Sequence, residues 1–159
     1  MERQKTKRWL GILLFAALAM LPLVVFFVHK RVGVVLEGAG SAMTMKTIYT
    51  ALHLYSQDNS GLFPPEDNIT GLKRLLDARD FDPRCLTCSS MFPPASSADK
   101  VEETNTSYIY IGGHGVSSPA HTIVLIEKPS LSLRHGRVMV CLADGRAIRL
   151  EDVLIPDAK

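Results

Sequence analysis

The main part of this sequence lacks an excess of positive charge. Up to Arg31, six Lys and Arg residues accompany a single Glu, a formal net charge of +5. From residue 32 onward, twelve Lys and Arg residues accompany fifteen Asp and Glu residues, a net charge of −3. Binding to nucleic-acid phosphates requires a basic face on the folded part of a protein, so we expect no nucleic-acid partner. The length of 159 residues predicts one folded domain.

The sequence also lacks the short motifs of common catalytic sites. No Gly-x-Ser-x-Gly elbow occurs. The glycine-rich stretch at residues 38–47 (GAGSAMTMKT) has no Gly-Lys pair of a phosphate-binding loop. Asp and Glu residues are scattered over predicted loops, and the pattern places no two of them face to face. We therefore expect a protein that is not an enzyme, with no cofactor, no bound metal and no small-molecule substrate.

Ionisable side chains are absent from residues 9–28 (WLGILLFAALAMLPLVVFFV). A helix of this length measures about 30 Å, which matches the apolar core of a bilayer. The apolar region of a cleaved signal peptide is about half as long and ends at a small-x-small site. Here His29, Lys30 and Arg31 follow instead. We predict an uncleaved transmembrane helix at residues 9–28, with the lipid bilayer as its partner.

The basic residues around this segment predict its orientation. Four precede it and two follow directly, and the side of a membrane with more Lys and Arg is usually the cytoplasm. We expect a cytoplasmic basic tail at residues 1–8 and a glycine-interrupted neck at residues 29–40. The domain at residues 41–159 then lies on the opposite side of the membrane.

A helical pattern of apolar residues begins after Ser41. Its members recur every three or four residues, which predicts one buried helix face: Met45, Ile48, Ala51, Leu52 and Tyr55. Gly61 suits the left-handed conformation that ends a helix, and Pro64 and Pro65 prevent the helix from resuming. We expect Phe63 to fold back over the end of this helix.

A second, shorter helix is predicted from Thr70, as its N-cap, to near Asp80. Its apolar residues are Leu72, Leu75 and Leu76. Residues 86–106 are rich in Ser, Thr, Pro and charge, a composition that predicts a long surface loop.

The pattern changes from helix to strand after this segment. Strands are predicted within residues 107–113 (SYIYIGG), 121–128 (HTIVLIEK) and 137–150, where Asp144 and Gly145 favour a tight hairpin turn. A small sheet cannot cover both its faces alone, so the first helix is its expected partner. The predicted fold class is α+β, with an N-terminal transmembrane helix followed by a helix packed on a small antiparallel sheet.

Four blocks of the chain resemble bacterial type IV pilin-like proteins, most closely the G-type pseudopilins of type II secretion. The blocks are residues 41–66, which end in ALHLYSQDNSGLFPP, then 85–89, 107–113 and 123–150. The last block resembles the prepilin-processing-associated domain, named for a His, nine residues and Asp-Gly. Here eight residues separate His135 from Asp144. The resemblance implies a pilin-like helix and structural roles for six motif residues: Gly61, Pro64, Pro65, His135, Asp144 and Gly145.

The family's leader-peptidase site is absent from the sequence. That site has Gly before a Phe-Thr-Leu-Ile-Glu-like start, whereas residues 11–15 here read GILLF and no Glu lies in the predicted span. We therefore expect a domain held permanently by its anchor. The resemblance implies a non-catalytic assembly component of a type II secretion or type IV pilus-like system in the bacterial inner membrane. Its N-terminus would be cytoplasmic, its domain periplasmic, and its protein partners part of an envelope assembly.

The alternative function is a stand-alone binding module on the same scaffold, which recognises an extracytoplasmic ligand through the loop at Cys85 and Cys88, with or without a bound metal. Two cysteines at this spacing also allow a redox dithiol, but the pair opens a Ser- and Pro-rich loop, whereas a thioredoxin-type pair begins a helix. In an oxidising compartment, the favoured interpretation is that Cys85 and Cys88 form a local disulfide or remain as inert thiols. Cys141 lies in a predicted apolar strand, so we expect its side chain to be buried and to act as a small hydrophobic residue.

Oxygen-bearing side chains also cluster around the proline turn, at Asp58, Asn59, Glu66, Asp67 and Asn68. They do not follow the Asp-x-Asx-x-Asx-Gly order of a helix-loop-helix calcium site. We therefore interpret them as solvated turn and capping residues.

Overall fold

The computed structural model describes residues 20, 22, 39–79, 81–88, 92–131 and 136–154. The chain divides into two compact units, Met1–Leu36 and Glu37–Lys159. The predicted basic tail, nearly all of the predicted transmembrane helix and most of the neck lie outside the described residues. Among the residues that are described, no helix is both long enough and apolar enough to cross a membrane.

The first helix, α1, comprises residues 39–58 of the described chain. Its predicted apolar face is buried, with exposed fractions of 0–6% at Met45, Ile48, Ala51, Leu52 and Tyr55. The opposite face, with Lys46, Thr50, His53 and Gln57, is exposed. Burial of each large apolar side chain contributes about 1.5–3 kcal/mol, so this face holds α1 on the rest of the domain.

Helix α1 ends in two residues of positive φ. Ser60 has a φ of 56° and Gly61 a φ of 81°. The backbone N–H of Gly61 donates to the carbonyl oxygen of Ser56 at 2.8 Å, which satisfies a carbonyl of the last turn. The predicted left-handed glycine is confirmed, although Ser60 shares the conformation. Phe63 is buried, with its ring edge-on to Tyr49 of α1, as predicted.

Helix α2 spans Asn68–Ala78 and buries Leu72, Leu75 and Leu76 as predicted. The prediction that Thr70 caps it is wrong, since Asp67 is the N-cap residue and Thr70 lies within the first turn. The physical reason is a distant contact. The Asp67 carboxylate accepts a hydrogen bond from the backbone N–H of Gly112, which fixes the chain three residues before Thr70, the predicted N-cap.

The segment predicted as a long surface loop packs on the domain. Three short 3-10 helices lie in or beside it, Pro83–Leu86, Ala98–Lys100 and Glu103–Asn105. Leu86, Ala95 and Val101 belong to the hydrophobic core. The backbone N–H of Ser107 donates to the carbonyl of Leu86, so the start of the segment is hydrogen-bonded to its end. The described part of the segment is irregular and largely at the surface, as predicted, but isolated apolar side chains anchor it to the core, which the sequence did not show.

Four strands form one antiparallel sheet in the order β1-β2-β3-β4. Their bounds are Tyr108–Tyr110 for β1, Ile123–Glu127 for β2, Met139–Leu142 for β3 and Ala147–Arg149 for β4. A short helix, α3, follows directly at Leu150–Leu154. The structure is thus α+β, with α1, α2 and the sheet around one core. Tyr108 and Tyr110 are buried in that core.

Candidate functional site

The turn after α1 contacts the chain that follows β1. The hydroxyl of Tyr110 donates to the carbonyl oxygen of Pro64 at 2.7 Å. The backbone N–H of Phe63 donates to the carbonyl of His114 at 2.9 Å. Burial raises the pKa of the Tyr110 hydroxyl, so it stays a neutral donor across the physiological range. Two of the four blocks that resemble the pilin-like family therefore meet in space.

Two glycines allow the backbone at Pro65 and Glu66 to approach its neighbours closely. A Cβ added at Gly112 would lie 2.5 Å from the carbonyl oxygens of Pro65 and Glu66, and one at Gly71 would lie 2.2 Å from that of Glu66. No side chain fits at such distances, so both positions require glycine for packing. Sequence reasoning read the glycines after β1 as a strand end and did not find this role. Their position after an aromatic strand was the available signal.

The hairpin turn between β3 and β4 forms around Asp144 and Gly145. Gly145 has a φ of 84°, and its N–H donates to the carbonyl of Leu142 at 2.9 Å. The Asp144 carboxylate accepts from the backbone N–H of Arg146 at 3.0 Å and from its Nε at 2.6 Å. Burial raises the pKa of Asp144, but the hydrogen bonds and charge of Arg146 outweigh this and lower the pKa overall. Positive φ occurs at Gly145 and not at Asp144. His135, the other residue of this motif, lies outside the described residues.

This hairpin turn lies on α1 through Tyr49. The Tyr49 hydroxyl donates to the carbonyl of Ala143 at 2.7 Å. A Cβ added at Gly145 would lie 2.6 Å from Cε1 of the Tyr49 ring, so the glycine allows the ring to approach. Burial, followed by the nearby Cys141 and Asp144, raises the pKa of Tyr49. The Asp-Gly motif therefore forms the contact between the C-terminal hairpin and the first helix.

Both cysteines of the pair are half-buried, and no disulfide joins their thiols in the structure. Cys85 lies in the 3-10 helix Pro83–Leu86, and burial, then the Asp82 charge, raises the pKa of its thiol. A redox-active thiol needs a lowered pKa, so the raised pKa of Cys85 does not favour a redox dithiol at this site. The backbone N–H of Cys88 donates to Oγ of Ser107 at 3.0 Å. The disulfide stays a prediction.

Cys141 has the predicted core role. Its side chain is fully buried in β3, and burial raises the pKa of its thiol to about 12. It is therefore protonated at neutral pH and contributes by packing.

The oxygen-bearing side chains near the proline turn contact other parts of the chain. Asp58 pairs with Arg79 at 2.5 Å, and Glu66 pairs with Arg74. The Asn59 side-chain amide donates to the carbonyl of Tyr55 at 2.8 Å and caps the end of α1. Over the described ranges, no group of three or more His, Cys, Asp or Glu residues is placed to hold a metal ion.

A groove of about 390 Å³ lies along the outer face of α1. We call it the α1 groove. It combines apolar and basic side chains, among them Met43, Lys46, Ala51, Leu54, Arg79 and Phe81. Met43 and Leu54 are 75% and 44% exposed, although they are large and apolar. Sequence reasoning assigned this face to solvent. The signal it missed was the separation of Met43 and Leu54 by three helical turns, which places them on one side.

The contacts described above pack the helices, turns and strands of the domain against one another. The motif residues Gly61, Pro64 and Gly145 fix turns against α1 and β1, while the α1 groove offers an apolar surface with positive charge. No family model matches the chain, and neither a curated protein nor a solved structure shows significant similarity to it.

Proposed function

We propose that this protein is a membrane-anchored, pilin- or pseudopilin-like structural component of a type II secretion or type IV pilus-like assembly. It acts without catalysis, by holding its domain at the bacterial inner membrane for contact with partner proteins. The observation that carries this proposal is the packing of α1 across a four-stranded antiparallel sheet that follows it in the chain. A long helix with one apolar face on such a sheet is the arrangement that the resemblance implies.

The contacts between sequence blocks support the proposal. The turn with Pro64 and Pro65 contacts the end of β1 through Tyr110, and the Asp-Gly turn contacts α1 through Tyr49. These blocks lie far apart in sequence and are the ones that carry the resemblance. Their contacts explain why a fold of this type needs Gly, Pro and Tyr at those positions, without any catalytic role.

The predicted anchor gives this domain its place in the cell. Residues 9–28 are uniformly apolar and stand between two basic clusters, which fits a single span with a cytoplasmic N-terminus. The span carries neither a leader-peptidase site nor a Glu, the two features by which fibre subunits of the family are processed and aligned. The proposed role is therefore that of a permanently anchored assembly component, with the domain in the periplasm.

Crosslinking in native membranes, followed by mass spectrometry, tests this function. The proposal predicts recovery of apparatus subunits such as the assembly ATPase complex, inner-membrane platform or secretin. A variant without residues 1–31 serves as the control and should lose these crosslinks, because it lacks the anchor. Recovery of the full-length protein without any apparatus subunit contradicts the proposal and favours a stand-alone binding module.

A further inference from the structure

Two of the three asparagines in this chain stand in the acceptor motif for N-linked sugars. The motif is Asn, any residue except Pro, then Ser or Thr, and a modified Asn lies at the surface of an exported protein. Asn68-Ile69-Thr70 and Asn105-Thr106-Ser107 fit this motif. Asn59 does not fit it, since Gly61 occupies the third position. The two fitting motifs differ in their accessibility in the folded domain.

Asn68 is open to solvent in the folded domain. It is the first residue of α2 and has a φ of 53°, a left-handed conformation that Asn adopts more readily than most residues. Asn68 and Thr70 are both exposed. No hydrogen bond joins the Asn68 side chain to a described residue. Its Nδ2 atom can therefore carry a sugar without the loss of a contact within the domain.

Asn105, in contrast, is held by its own turn. Its Nδ2 donates to the carbonyl oxygen of Lys100 at 2.7 Å, and its Oδ1 accepts from the backbone N–H of Glu102 at 2.8 Å. Thr106 and Ser107, the rest of this motif, are completely buried. A transferase that reads the motif on the folded domain therefore reaches the site in α2 and not the site at Asn105.

A hollow beside Asn68 has room for the first sugar. Its volume is about 510 Å³, and it lies between the start of α2, β1 and the chain that follows β2. Glu103, Lys128 and Ser130 line it with polar groups, and Pro129 adds apolar surface. Such a lining suits a sugar ring, because its hydroxyl groups need polar partners while its C–H groups pack on apolar side chains.

We infer that Asn68 is a site of N-linked glycosylation. Its Nδ2 atom attacks the anomeric carbon of an oligosaccharide carried on a polyprenyl diphosphate, in a reaction catalysed by a membrane oligosaccharyltransferase. A C–N bond forms as the C–O bond to the diphosphate breaks. The polyprenyl diphosphate leaves, and the amide gives up one proton. This inference rests on the proposed function, because only a domain outside the cytoplasm receives a sugar in this way.

Mass spectrometry of the full-length chain, purified from the membranes of its native bacterium, tests this site. Trypsin releases residues 47–73, which contain Asn68, and residues 101–134, which contain Asn105. We expect the first peptide to carry the added mass of whole sugar residues, localised to Asn68 by fragmentation that preserves the sugar. The second peptide should be unmodified, and it comes from the same molecules, so it is an internal control.

Substitutions in the third position of the motif test the assignment without changing Asn68. Thr70→Ala should abolish the added mass because the motif loses its hydroxyl group, whereas Thr70→Ser keeps the motif and should retain it. Thr70 is exposed in the first turn of α2, where alanine is compatible with a helix. Asn105→Gln is the matched control and should leave the modification of Asn68 unchanged.

Three results would overturn the inference: an unmodified Asn68, a sugar at Asn105 instead, or an added mass that persists in Thr70→Ala. If crosslinking in native membranes recovers apparatus subunits while Asn68 is unmodified, the proposed function stands and the glycosylation site does not. A sugar on Asn68 without any apparatus crosslink would support the site and contradict the assembly role. The absence of both would contradict both proposals.

Discussion

The hydroxyl of Tyr49 donates a 2.7 Å hydrogen bond to the carbonyl oxygen of Ala143, 94 residues further along the chain. The same ring lies against Gly145, where an added Cβ would come within 2.6 Å of it. One aromatic side chain of α1 therefore fixes the turn between β3 and β4. The contact connects the first element of the domain to its last hairpin.

Tyr49→Phe should lower the free energy of unfolding by about 1 kcal/mol, because it leaves the Ala143 carbonyl without this donor. Urea unfolding of the full-length chain in detergent measures the change. Tyr55→Phe is the matched control, since Tyr55 is also on α1 and largely buried but makes no hydrogen bond through its hydroxyl to a described residue. Equal effects of the two substitutions would contradict the assigned role of the Tyr49 hydroxyl.

Gly145→Ala should destabilise the domain by about 2–3 kcal/mol, since alanine is strained at this positive φ and its Cβ would clash with Tyr49. Gly113→Ala separates the two causes. Gly113 also has a positive φ, 74°, but nothing lies within 4 Å of an added Cβ. Gly113→Ala should lower the free energy of unfolding by about 1–2 kcal/mol, which is the cost of placing alanine at a positive φ without a clash. The same loss at both sites would show that the close approach to Tyr49 is not real.

Gly71→Ala tests the contact between α2 and the proline turn by the sign of its effect. Helix propensity favours alanine over glycine by about 1 kcal/mol in a helix interior. The structure predicts destabilisation instead, since the new Cβ would lie 2.2 Å from the Glu66 carbonyl and 2.5 Å from the Tyr110 ring. Gly40→Ala, in α1 with nothing within 4 Å, should be neutral or stabilising. A rise in melting temperature for Gly71→Ala would contradict the described packing.

The stability of the domain should fall at alkaline pH. Burial raises the pKa of Cys141 to about 12 from an ordinary value of 9.0, so the folded state holds this proton more tightly than the unfolded state. The resulting stability is fully present below pH 9 and is lost as the pH rises toward 12, by at most about 1.4 kcal/mol per pH unit from this group. Cys141→Ala should show a shallower decline between pH 9 and 11 in urea unfolding. An unchanged slope would exclude Cys141 as a source.

Local patterns in the sequence predicted the elements whose apolar residues recur at a regular spacing. The apolar residues of α1 recur with helical spacing, and Asp144-Gly145 stands between two strand-like runs, so both elements could be predicted. The turn at Gly61 followed from the requirement for a residue that tolerates positive φ before two prolines.

Contacts between distant residues could not be predicted in the same way. The requirement for Gly112 depends on a carbonyl of Pro65, and the start of α2 depends on Asp67 meeting Gly112. Leu86, Ala95 and Val101 are single apolar residues in a polar segment, with no spacing that marks them as core. Likewise, the α1 groove forms only where Phe81 and Arg79 pass beside the helix.

Cysteine labelling across the membrane tests most directly whether the domain is anchored with its N-terminus in the cytoplasm. In a background of Cys85→Ser, Cys88→Ser and Cys141→Ala, a new cysteine replaces either Arg3 or Leu154. With a maleimide that cannot cross membranes, we expect spheroplasts to label the Leu154→Cys variant at once and the Arg3→Cys variant only after lysis. Labelling of both variants only after lysis, or the reverse order, would contradict an anchored domain outside the cytoplasm.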